Sequence, residues 1–364
     1  MRIIHCADLH LDSKLEANLS KEQAKQRKGE ILTSFCKMVD FASENAVEII
    51  LIAGDLFDRN NISATAVNTV KHAISSHPGI RFYYLKGNHD SDSFLKPDEI
   101  IPENLKLFNT DWISYDESGI TVTGAELTKD NSGSIYNSLL LNNDSFNIVM
   151  LHGQDAFSSS RSKDKTETIN IKALKNKGID YLALGHIHAF KLDKIDMRGI
   201  YCYPGCLEGR GFDECGEHGF VLLDIDPISH EFSHDFIPFA FRRLFEIRAD
   251  ISKCMTSAEI ICVIENEIRI KDCVSSDLIK IVLAGDISLS CEKDIAYILT
   301  AFSDKYFFIK IYDETRPKID AEDFRLDSSL KGEFVRCILD DPDISEEDKP
   351  YVIKCGLDAI LGEK

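Results

Sequence analysis

Residues 47–58 read VEIILIAGDLFD, an apolar and largely β-branched run that ends at a glycine. Continuous apolar runs of this kind are typical of strands that are buried on both faces of a sheet in α/β proteins. Two carboxylates, Asp55 and Asp58, follow the run directly. Because ligands of open α/β sheets lie outside the carboxyl ends of the strands, we expect this strand end to lie at a functional site.

The same pattern, an apolar run followed by a polar residue, recurs along the first half of the chain. Apolar residues at helical spacing between 24 and 45 predict a helix between the first two strands. Strands that alternate with helices indicate an α/β domain. The other strands of the pattern are RIIHC (2–6), RFYYLKG (81–87), NIVMLHG (147–153) and DYLALGH (180–186).

The rest of the sequence predicts two further parts. GIYCYPGC, HGFVLLDID and EFSHDFIPF, within 199–239, are typical of consecutive strands that close the first domain. Residues 244–316 predict a small β-α-β-α-β module, and the tail predicts a polar linker with helices at 328–340 and 345–361. We therefore expect three domains, at 1–240, 241–316 and 317–364.

Five short motifs stand at the predicted strand ends. They supply Asp, His and Asn side chains but no Cys, a ligand set suited to Mn²⁺, Fe²⁺ or Zn²⁺. In an extended segment, residues i and i+2 face the same side, so both members of a D-x-H or H-x-H pair can reach one metal cluster. The motifs are Asp8-x-His10, Gly54-Asp55-x-x-Asp58, Gly87-Asn88-His89-Asp90, His152-Gly153 and Gly185-His186-x-His188.

Together the motifs predict a hydrolytic site with two metal ions. Each motif alone is weak, because isolated Asp and His residues are common in cores and helix caps, but all five fall in order at strand ends. Asp55 could bridge two cations, and ions about 3.5–4 Å apart can hold a phosphoryl group and activate a water. His89 could then donate a proton to the leaving oxygen, and Asp58 could orient its imidazole.

This order of motifs resembles the calcineurin-like metallophosphoesterase superfamily over about residues 1–240. The resemblance implies an α/β (α+β) fold, a four-layer αββα sandwich, here followed by a small α/β cap domain and terminal helices. It also implies that His89 is the catalytic histidine and that Asp58 is paired with it. The ligands that it implies are Asp8, His10, Asp55 and His188 for the first ion, and Asp55, Asn88, His152 and His186 for the second.

Within this superfamily the chain resembles the SbcD-type DNA repair exonucleases, and among them the YhaO-like bacterial branch. HCADLHLDS (5–13), LKGNHD (85–90) and YPGCLEGRGFDECGEHGF (203–220) carry the similarity, and the tail from Ser329 onward extends it. Two residues depart from the pattern. Cys206 stands where SbcD-type relatives usually have Ser, and Asp58 stands where archaeal and eukaryotic relatives have His.

The resemblance implies Mn²⁺-dependent exonuclease action on DNA ends and endonuclease action on single strands, with Fe²⁺, Zn²⁺ or Mg²⁺ as alternative ions. It further implies a homodimer and an SMC-like coiled-coil ABC ATPase partner. Residues 241–316 would contact DNA, and the helices of 317–364 would dock on the ATPase. Two alternatives stay open: a small-molecule phosphoesterase, which usually lacks the residues after the core, and a scaffold for a partner, against which the seven candidate ligands argue.

The composition constrains the function and location of the protein less strongly than the motifs do. The chain has 364 residues, and 42 basic against 61 acidic residues give a net charge of −19, which excludes a polycation that coats nucleic acid or anionic membranes. DNA binding by this chain alone should therefore be weak and salt-sensitive. Eleven cysteines without a CxxC pair are typical of free thiols in a reducing cytosol. The N-terminus has no apolar signal core, and we expect a cytoplasmic, nucleoid-associated bacterial protein without a membrane span.

Weaker signals point to other sites. His230 to His234 is a literal HExxH motif, but EFSHDFIPF predicts a strand, where residues i and i+4 are about 13 Å apart and cannot share one zinc. Arg59 could hold a phosphate, although a surface ion pair explains it equally well. The loop 155–167, rich in Ser, Lys and Arg, could contact a DNA backbone or simply be solvated. A further set with no common zinc spacing is Cys202, Cys206, Cys215 and His218.

Overall fold

The computed structural model of the chain describes residues 1–15, 19–58, 62–91, 94–95, 101–155, 168–288, 291–319 and 321–361. The chain divides into two compact units, Met1–Arg243 and Leu244–Lys364. The three-domain division expected from the sequence stays a prediction. In the described part of the chain, we find no helix with the length and apolarity that a membrane crossing requires.

Fourteen strands and three α-helices make up the first unit as described. The helices are α1 (Lys21–Glu44), α2 (Ala64–Ser75) and α3 (Ile171–Leu174), and residues Ile135–Ser138 form a 3-10 turn. The strands are β1 (Arg2–Cys6), β2 (Val47–Ala53), β3 (Arg81–Leu85), β4 (Leu105–Leu107), β5 (Ile113–Glu117), β6 (Ile120–Gly124), β7 (Phe146–His152), β8 (Gln154–Asp155), β9 (Thr168–Ile169), β10 (Tyr181–Gly185), β11 (Lys191–Lys194), β12 (Ile200–Tyr203), β13 (Gly219–Ile225) and β14 (Phe232–Pro238).

Two six-stranded sheets dominate this unit. Their strand orders are β14-β13-β1-β2-β3-β4 and β11-β12-β10-β7-β6-β5. In the first sheet β1 to β4 are parallel, and in the second sheet β6, β7, β10 and β12 are parallel. The antiparallel strands β13, β14, β5 and β11 lie toward the edges.

The sheets pack face to face, and helices cover their outer faces. Ile49 and Leu51 of β2 share one buried cluster with Ile148 and Met150 of β7, which places apolar side chains between the sheets. A second cluster joins the other face of the first sheet to Phe35 and its neighbours on α1. A third joins the outer face of the second sheet to the 3-10 turn and α3. This is the αββα sandwich that the resemblance implied, and its two-sided burial explains the continuous apolar runs.

Strand register brings the predicted strand ends together. Ile52 of β2 lies beside Cys6 of β1, and Ala53 lies beside Leu85 of β3. In the second sheet, His152 of β7 lies beside Gly185 of β10. The polar residues that follow these parallel strands therefore emerge at the carboxyl edges of the two sheets.

The second unit contains the β-α-β-α-β module that the sequence predicted. Its parallel sheet has the order β15-β16-β18, and Ile260 and Ile264 of α4 pack with Ile279 and Ile281 of β16 in one buried cluster. The tail helices pack around Val335 and Ile353. The elements are β15 (Leu244–Asp250), α4 (Ser257–Ile270), β16 (Leu278–Ala284), β17 (Asp286–Ser288), α5 (Ile295–Thr300), β18 (Phe308–Asp313), β19 (Arg316–Lys318), α6 (Ala321–Arg325), α7 (Leu330–Asp340) and α8 (Lys349–Leu361).

Candidate metal centre

Four of the seven candidate ligands have a left-handed backbone. Asp8, His10, Asp55 and His186 have φ angles of 51°, 42°, 52° and 101°. Residues other than glycine avoid this region, and each such residue costs on the order of 1–3 kcal/mol. Strain of this kind persists only where the surrounding structure enforces it, and it clusters at functional sites. Of the ten described non-glycine residues with a positive φ, these four therefore lie at the strand ends that carry the motifs.

Two glycines of the motifs are needed because the site is crowded. Gly54 has a φ of 93°, and a Cβ atom there would stand 2.1 Å from Nδ1 of His152. A Cβ atom on Gly87 would stand 2.2 Å from Oδ1 of Asp55. The Gly-Asp and Gly-Asn pairs of the sequence thus allow residues from different strands to approach within contact distance.

His152 faces two oxygen acceptors deep in the site. Its Nδ1 lies 2.9 Å from the carbonyl oxygen of Ala53, so Nδ1 carries the proton of a neutral ring and Nε2 presents a lone pair. That Nε2 lies 3.4 Å from Oδ2 of Asp55 and 3.1 Å from Oδ1 of Asn88. His152 and Asp55 are 3% and 1% exposed. Three acceptor atoms that meet in a buried place require either an added proton or a cation between them.

The pKa values of His152 and Asp55 also indicate that a positive charge is needed between them. Burial alone would lower the pKa of His152, but the adjacent carboxylates of Asp55 and Asp8 raise it to about 10. Burial would likewise raise the pKa of Asp55, but the His152 charge and hydrogen bond hold it below its usual range. Without a metal ion, His152 is therefore protonated, and its positive charge stabilises the nearby carboxylates. A divalent cation bound here would displace that proton.

A second group of acceptors surrounds His10 and His188. Their two Nε2 atoms lie 3.2 Å apart, and Nε2 of His10 is also 3.7 Å from Oδ2 of Asp55. Burial lowers the pKa of His10 to about 3, so its ring is neutral at physiological pH. Among the described residues, Nδ1 of His10 has no hydrogen-bond partner.

Asp8 and His186 complete the set. The backbone N–H of His186 donates to both carboxylate oxygens of Asp8, each at 2.9 Å. Burial raises the pKa of Asp8 to about 6. Burial lowers the pKa of His186 to about 4, and its ring stands perpendicular to that of His152 with centroids 5.5 Å apart. The structure thus brings together all seven residues that the sequence singled out.

The donor set fits divalent cations. Among the described residues, ligand atoms lie within 4.8 Å of one another in the groups Asp8–His10–His188 and Asp8–Asp55–His152. Neutral imidazole nitrogens with carboxylate and amide oxygens match the borderline-to-hard preference of Mn²⁺, Fe²⁺ and Zn²⁺. Which residue would hold which ion stays a prediction.

His89 and Asp58 form a pair at the rim of this cluster. Nδ1 of His89 lies 2.9 Å from Oδ1 of Asp58, and the His89 side chain is 37% exposed. The hydrogen bond from His89 lowers the pKa of Asp58, which is therefore a carboxylate at neutral pH. Nδ1 donates to that carboxylate, so the two side chains form a hydrogen-bonded pair, and their catalytic role stays a prediction. His89 is also anchored through its backbone N–H, which donates to Oδ1 of Asp55 at 2.8 Å.

Sequence reasoning missed two acidic residues that support the site. Asp90, quoted only as the end of a motif, accepts hydrogen bonds from the backbone N–H groups of Leu56, Phe57 and Gly87 at 3.2, 2.9 and 3.0 Å. It thus ties the loop after β2 to the loop after β3. Glu214 lies 2.6 Å from Nδ1 of His188 through Oε1. No local pattern marks Glu214, because its partner is 26 residues away in sequence.

The weaker sequence signals have different outcomes. Arg59 and residues 156–167 lie outside the described residues. His234 lies on strand β14, and His230 precedes that strand, so the HExxH letters are not on a helix as a zincin requires. Cys206 lies 3.3 Å from Nδ1 of His218 through its Sγ atom, whereas Cys215 is exposed.

Comparison with known proteins agrees with this geometry. The chain is 30% identical over 253 residues to the metallophosphoesterase YhaO of Bacillus subtilis (strain 168), a match that covers 65% of this chain and 61% of YhaO. It is 27% identical over 241 residues to the DNA double-strand break repair protein Mre11 of Saccharolobus solfataricus, covering 61% and 60% of the two chains. It is 23% identical over 261 residues to a subunit of the nuclease SbcCD of Staphylococcus epidermidis, covering 62% and 66%.

The chain therefore spans about three fifths to two thirds of the length of these relatives. The family described as calcineurin-like phosphoesterase matches residues 1–190, more than half of the chain. That segment contains every candidate ligand and the His89–Asp58 pair. The chain belongs to the calcineurin-like phosphoesterase family.

Proposed function

We propose that the chain is a metal-dependent phosphodiester hydrolase that acts on DNA, with exonuclease action on ends and endonuclease action on single strands, in end processing and repair. The observation that carries this proposal is that Nε2 of His152, Oδ2 of Asp55 and Oδ1 of Asn88 lie together beside the half-buried His89–Asp58 pair. A buried group of atoms suited to cations, next to a partly solvent-accessible proton donor, supports metal-assisted phosphodiester hydrolysis.

In this proposal the site holds two divalent cations, with Mn²⁺ favoured and Fe²⁺, Zn²⁺ or Mg²⁺ as alternatives. When bound, such a pair of ions supplies positive charge to the phosphate oxygens and a nucleophile at neutral pH. Asp55 would bridge the ions, since its carboxylate lies near both His10 and His152. The remaining assignments are Asp8, His10 and His188 to one ion, and Asn88, His152 and His186 to the other.

His89 would act as the general acid. The scissile bond joins phosphorus to a sugar oxygen, and that oxygen needs a proton as it leaves. Because Nδ1 of His89 is bound to Asp58, Nε2 is the ring atom that would transfer this proton. Asp58 would keep the ring in this orientation and stabilise its protonated form. The lowered pKa of Asp58 supports this role, because only the ionised carboxylate accepts the hydrogen bond.

Two observations favour DNA over a small phosphodiester. The SbcCD nuclease protein of Staphylococcus epidermidis and the DNA double-strand break repair protein Mre11 are both similar to this chain. In addition, the chain continues beyond the family match with a second unit, Leu244–Lys364, that a small substrate would not need. We propose that its module 244–316 contacts DNA.

The proposed partners are a second copy of the chain and an SMC-like coiled-coil ABC ATPase. In the tail, Leu326 and Leu330 are 84% and 70% exposed, and Tyr351 is 44% exposed. Apolar side chains that are exposed before α7, at its first residue and on α8 support docking of this tail on an apolar partner surface. We expect this complex in the bacterial cytoplasm, at the nucleoid.

A substrate panel tests the proposal. The purified chain with Mn²⁺ is given end-labelled linear duplex DNA, circular single-stranded DNA, bis-p-nitrophenyl phosphate and a cyclic nucleotide, and kcat/KM is measured for each. We expect DNA to be cleaved in a Mn²⁺-dependent way and the small diesters to be at least about 10²-fold poorer, because they lack contacts outside the reacting group. Efficient hydrolysis of small diesters without DNA cleavage would favour a small-molecule phosphodiesterase. Metal binding without hydrolysis of any substrate would favour a scaffold.

A further inference from the structure

Glu214 lies behind His188, on the side away from the candidate cations. It belongs to the connection between β12 and β13, and its side chain is 7% exposed. Its Oε1 lies 2.6 Å from Nδ1 of His188, while Nε2 of His188 faces Nε2 of His10 at 3.2 Å. The two ring nitrogens of His188 therefore face opposite environments, a carboxylate on one side and the candidate metal centre on the other.

This geometry selects one tautomer of His188. Nδ1 has a second neighbour, Nη2 of Arg210 at 3.2 Å, which is a donor. If Nδ1 accepted from Arg210, its lone pair would stand 2.6 Å from a carboxylate oxygen, which is repulsive. Nδ1 therefore carries a proton and donates it to Glu214. The lone pair of the neutral ring is then on Nε2, the nitrogen that faces the site.

Glu214 is itself held from several directions. Nη2 of Arg210 donates to its Oε1 at 2.9 Å, and the backbone N–H of Arg210 donates to its Oε2 at 2.7 Å. Nε2 of His218 lies 2.6 Å from the Glu214 carbonyl oxygen and donates to it, so Nδ1 of His218 accepts from the thiol of Cys206 at 3.3 Å. A serine hydroxyl could donate to the same nitrogen. The departure at Cys206 thus leaves a hydrogen-bond donor at this position.

We propose that Glu214 is a positioning residue that fixes the tautomer and ring orientation of His188, so that Nε2 of His188 is presented as a metal ligand. Arg210 and the Cys206–His218 pair hold the Glu214 carboxylate and backbone in place for this purpose. The proposal deepens the proposed function and rests on it, because it takes His188 as a ligand of one of the two ions.

The expected size of the effect follows from other metal sites. A carboxylate that accepts the second N–H of a ligating histidine orients the ring and raises its basicity, and its loss typically costs about 10–100-fold in metal affinity. Among the described residues, Glu214 contacts only one of the candidate histidines. Its removal should therefore lower the affinity for one ion and leave the affinity for the other unchanged. If Glu214 only stabilised the loop, its removal would instead lower the affinity for both ions or for neither.

The test compares Glu214→Gln with the matched control Glu217→Gln in the full-length protein. Both variants remove one negative charge from the same connection, but Glu217 is exposed and three residues further along. Mn²⁺ binding is measured by titration calorimetry, and Co²⁺ is used as a spectroscopic probe, since its visible absorption reports on imidazole coordination. For Glu214→Gln we expect about 10–100-fold weaker binding of one Mn²⁺, unchanged binding of the other and an altered Co²⁺ spectrum. For Glu217→Gln we expect no change.

A second, more conservative variant distinguishes loss of the Glu214–His188 contact from loss of the fold. Glu214→Asp keeps the negative charge beside Arg210 but ends one methylene short of His188, so we expect a smaller loss at the same ion. The proposal would be overturned if Glu214→Asp and Glu214→Gln both bound the two ions with wild-type affinity. It would also be overturned if a folded variant lost the same affinity for both ions. If the wild type binds two ions without cleaving DNA, the proposed function fails while the role of Glu214 stands. If the wild type cleaves DNA and both variants bind both ions normally, only the role of Glu214 fails.

Discussion

The tripeptide Ala-Gly-Asp ends a buried parallel strand in both units of the molecule, yet the two copies differ in almost every other respect. In the first unit it is Ala53-Gly54-Asp55 at the end of β2, and in the second it is Ala284-Gly285-Asp286 at the end of β16. Both glycines are left-handed, with φ angles of 93° and 104°. Asp55 is buried, however, and Asp286 is exposed.

The difference arises from what faces each strand end. Asp55 meets His152 from the opposing sheet, and the His89 backbone from the neighbouring loop donates to it. At Gly285 the neighbours are Ser252 and Asp250 of the adjacent strand end, and the Asp286 N–H donates to Ser252. Among the described residues, every cluster of three candidate metal ligands lies in the first unit. The Ala-Gly-Asp motif alone does not form a candidate metal site. Such a site forms in the first unit because residues from the edges of two sheets lie next to the motif.

The largest expected effect separates the two aspartates. Asp55→Ala removes the carboxylate that lies near both His10 and His152, so we expect loss of Mn²⁺ binding and of detectable phosphodiesterase activity. Asp286→Ala removes the matching carboxylate of the second unit, where the described residues form no group of three candidate ligands, and we expect wild-type Mn²⁺ affinity. Titration calorimetry and initial rates on one DNA substrate measure both variants. Normal turnover by Asp55→Ala would refute the proposed mechanism.

The next effect separates proton transfer from metal binding within the first unit. His89→Ala keeps the backbone N–H that donates to Asp55 but removes the imidazole bound to Asp58. We expect kcat to fall by about 10²–10⁴-fold with unchanged Mn²⁺ affinity, as is typical of a lost general acid. His72→Ala, an exposed histidine on α2, is the control and should leave kcat unchanged. A parallel fall in metal affinity for His89→Ala would instead indicate a structural role.

A third prediction uses the two glycines. Alanine at Gly54 or Gly285 is strained by the left-handed backbone, and each substitution should lower the free energy of unfolding by about 1–3 kcal/mol. Both substitutions place a Cβ atom 2.1 Å from a side-chain atom, which is Nδ1 of His152 at Gly54 and Oγ of Ser252 at Gly285. Only Gly54→Ala crowds a candidate ligand, so only this variant should lose Mn²⁺ affinity. Denaturant unfolding and metal titration of both variants distinguish the outcomes. Equal metal affinity in the two variants would mean that the crowding at Gly54 has no effect on the site.

The smallest effect is a pH dependence of the metal-free protein. The pKa of His152 is raised to about 10, whereas an unfolded histidine has a pKa of about 6.5, so the folded state retains a proton that the unfolded state loses. This contribution is complete below pH 6.5 and is lost as pH rises toward 10. The free energy of unfolding should therefore fall by up to about 1.4 kcal/mol per pH unit.

Denaturant unfolding between about pH 6.5 and 7.5 measures this slope, because the cysteine thiols of the unfolded chain, with a pKa of about 8.5, stay largely protonated in that range. Saturating Mn²⁺ should flatten the slope, since the cation takes the place of the proton. His152→Gln should also reduce it, because glutamine does not titrate. An equal slope in wild type and His152→Gln would show that the stabilising proton lies elsewhere.

Much of this site could be predicted from the sequence because its residues follow strands. The apolar runs that end at Cys6, Ala53 and His152 predicted strands, and parallel strands place their carboxyl ends at one sheet edge. The motif spacing then predicted all seven residues that the structure brings together. The role of Asp90 was not predictable in this way, because its three hydrogen bonds join two loops whose relative position depends on the packed sheet.

The sequence by itself determined the strands, the polar residues at their ends and the glycines that permit close approach, since these depend on local periodicity and backbone conformation. Only the tertiary structure decided which of the two Ala-Gly-Asp ends is buried, and which nitrogen of His188 faces the cluster. The physical reason is that burial and tautomer depend on partners that are distant along the chain: Glu214 lies 26 residues from His188, and His152 is 97 residues from Asp55.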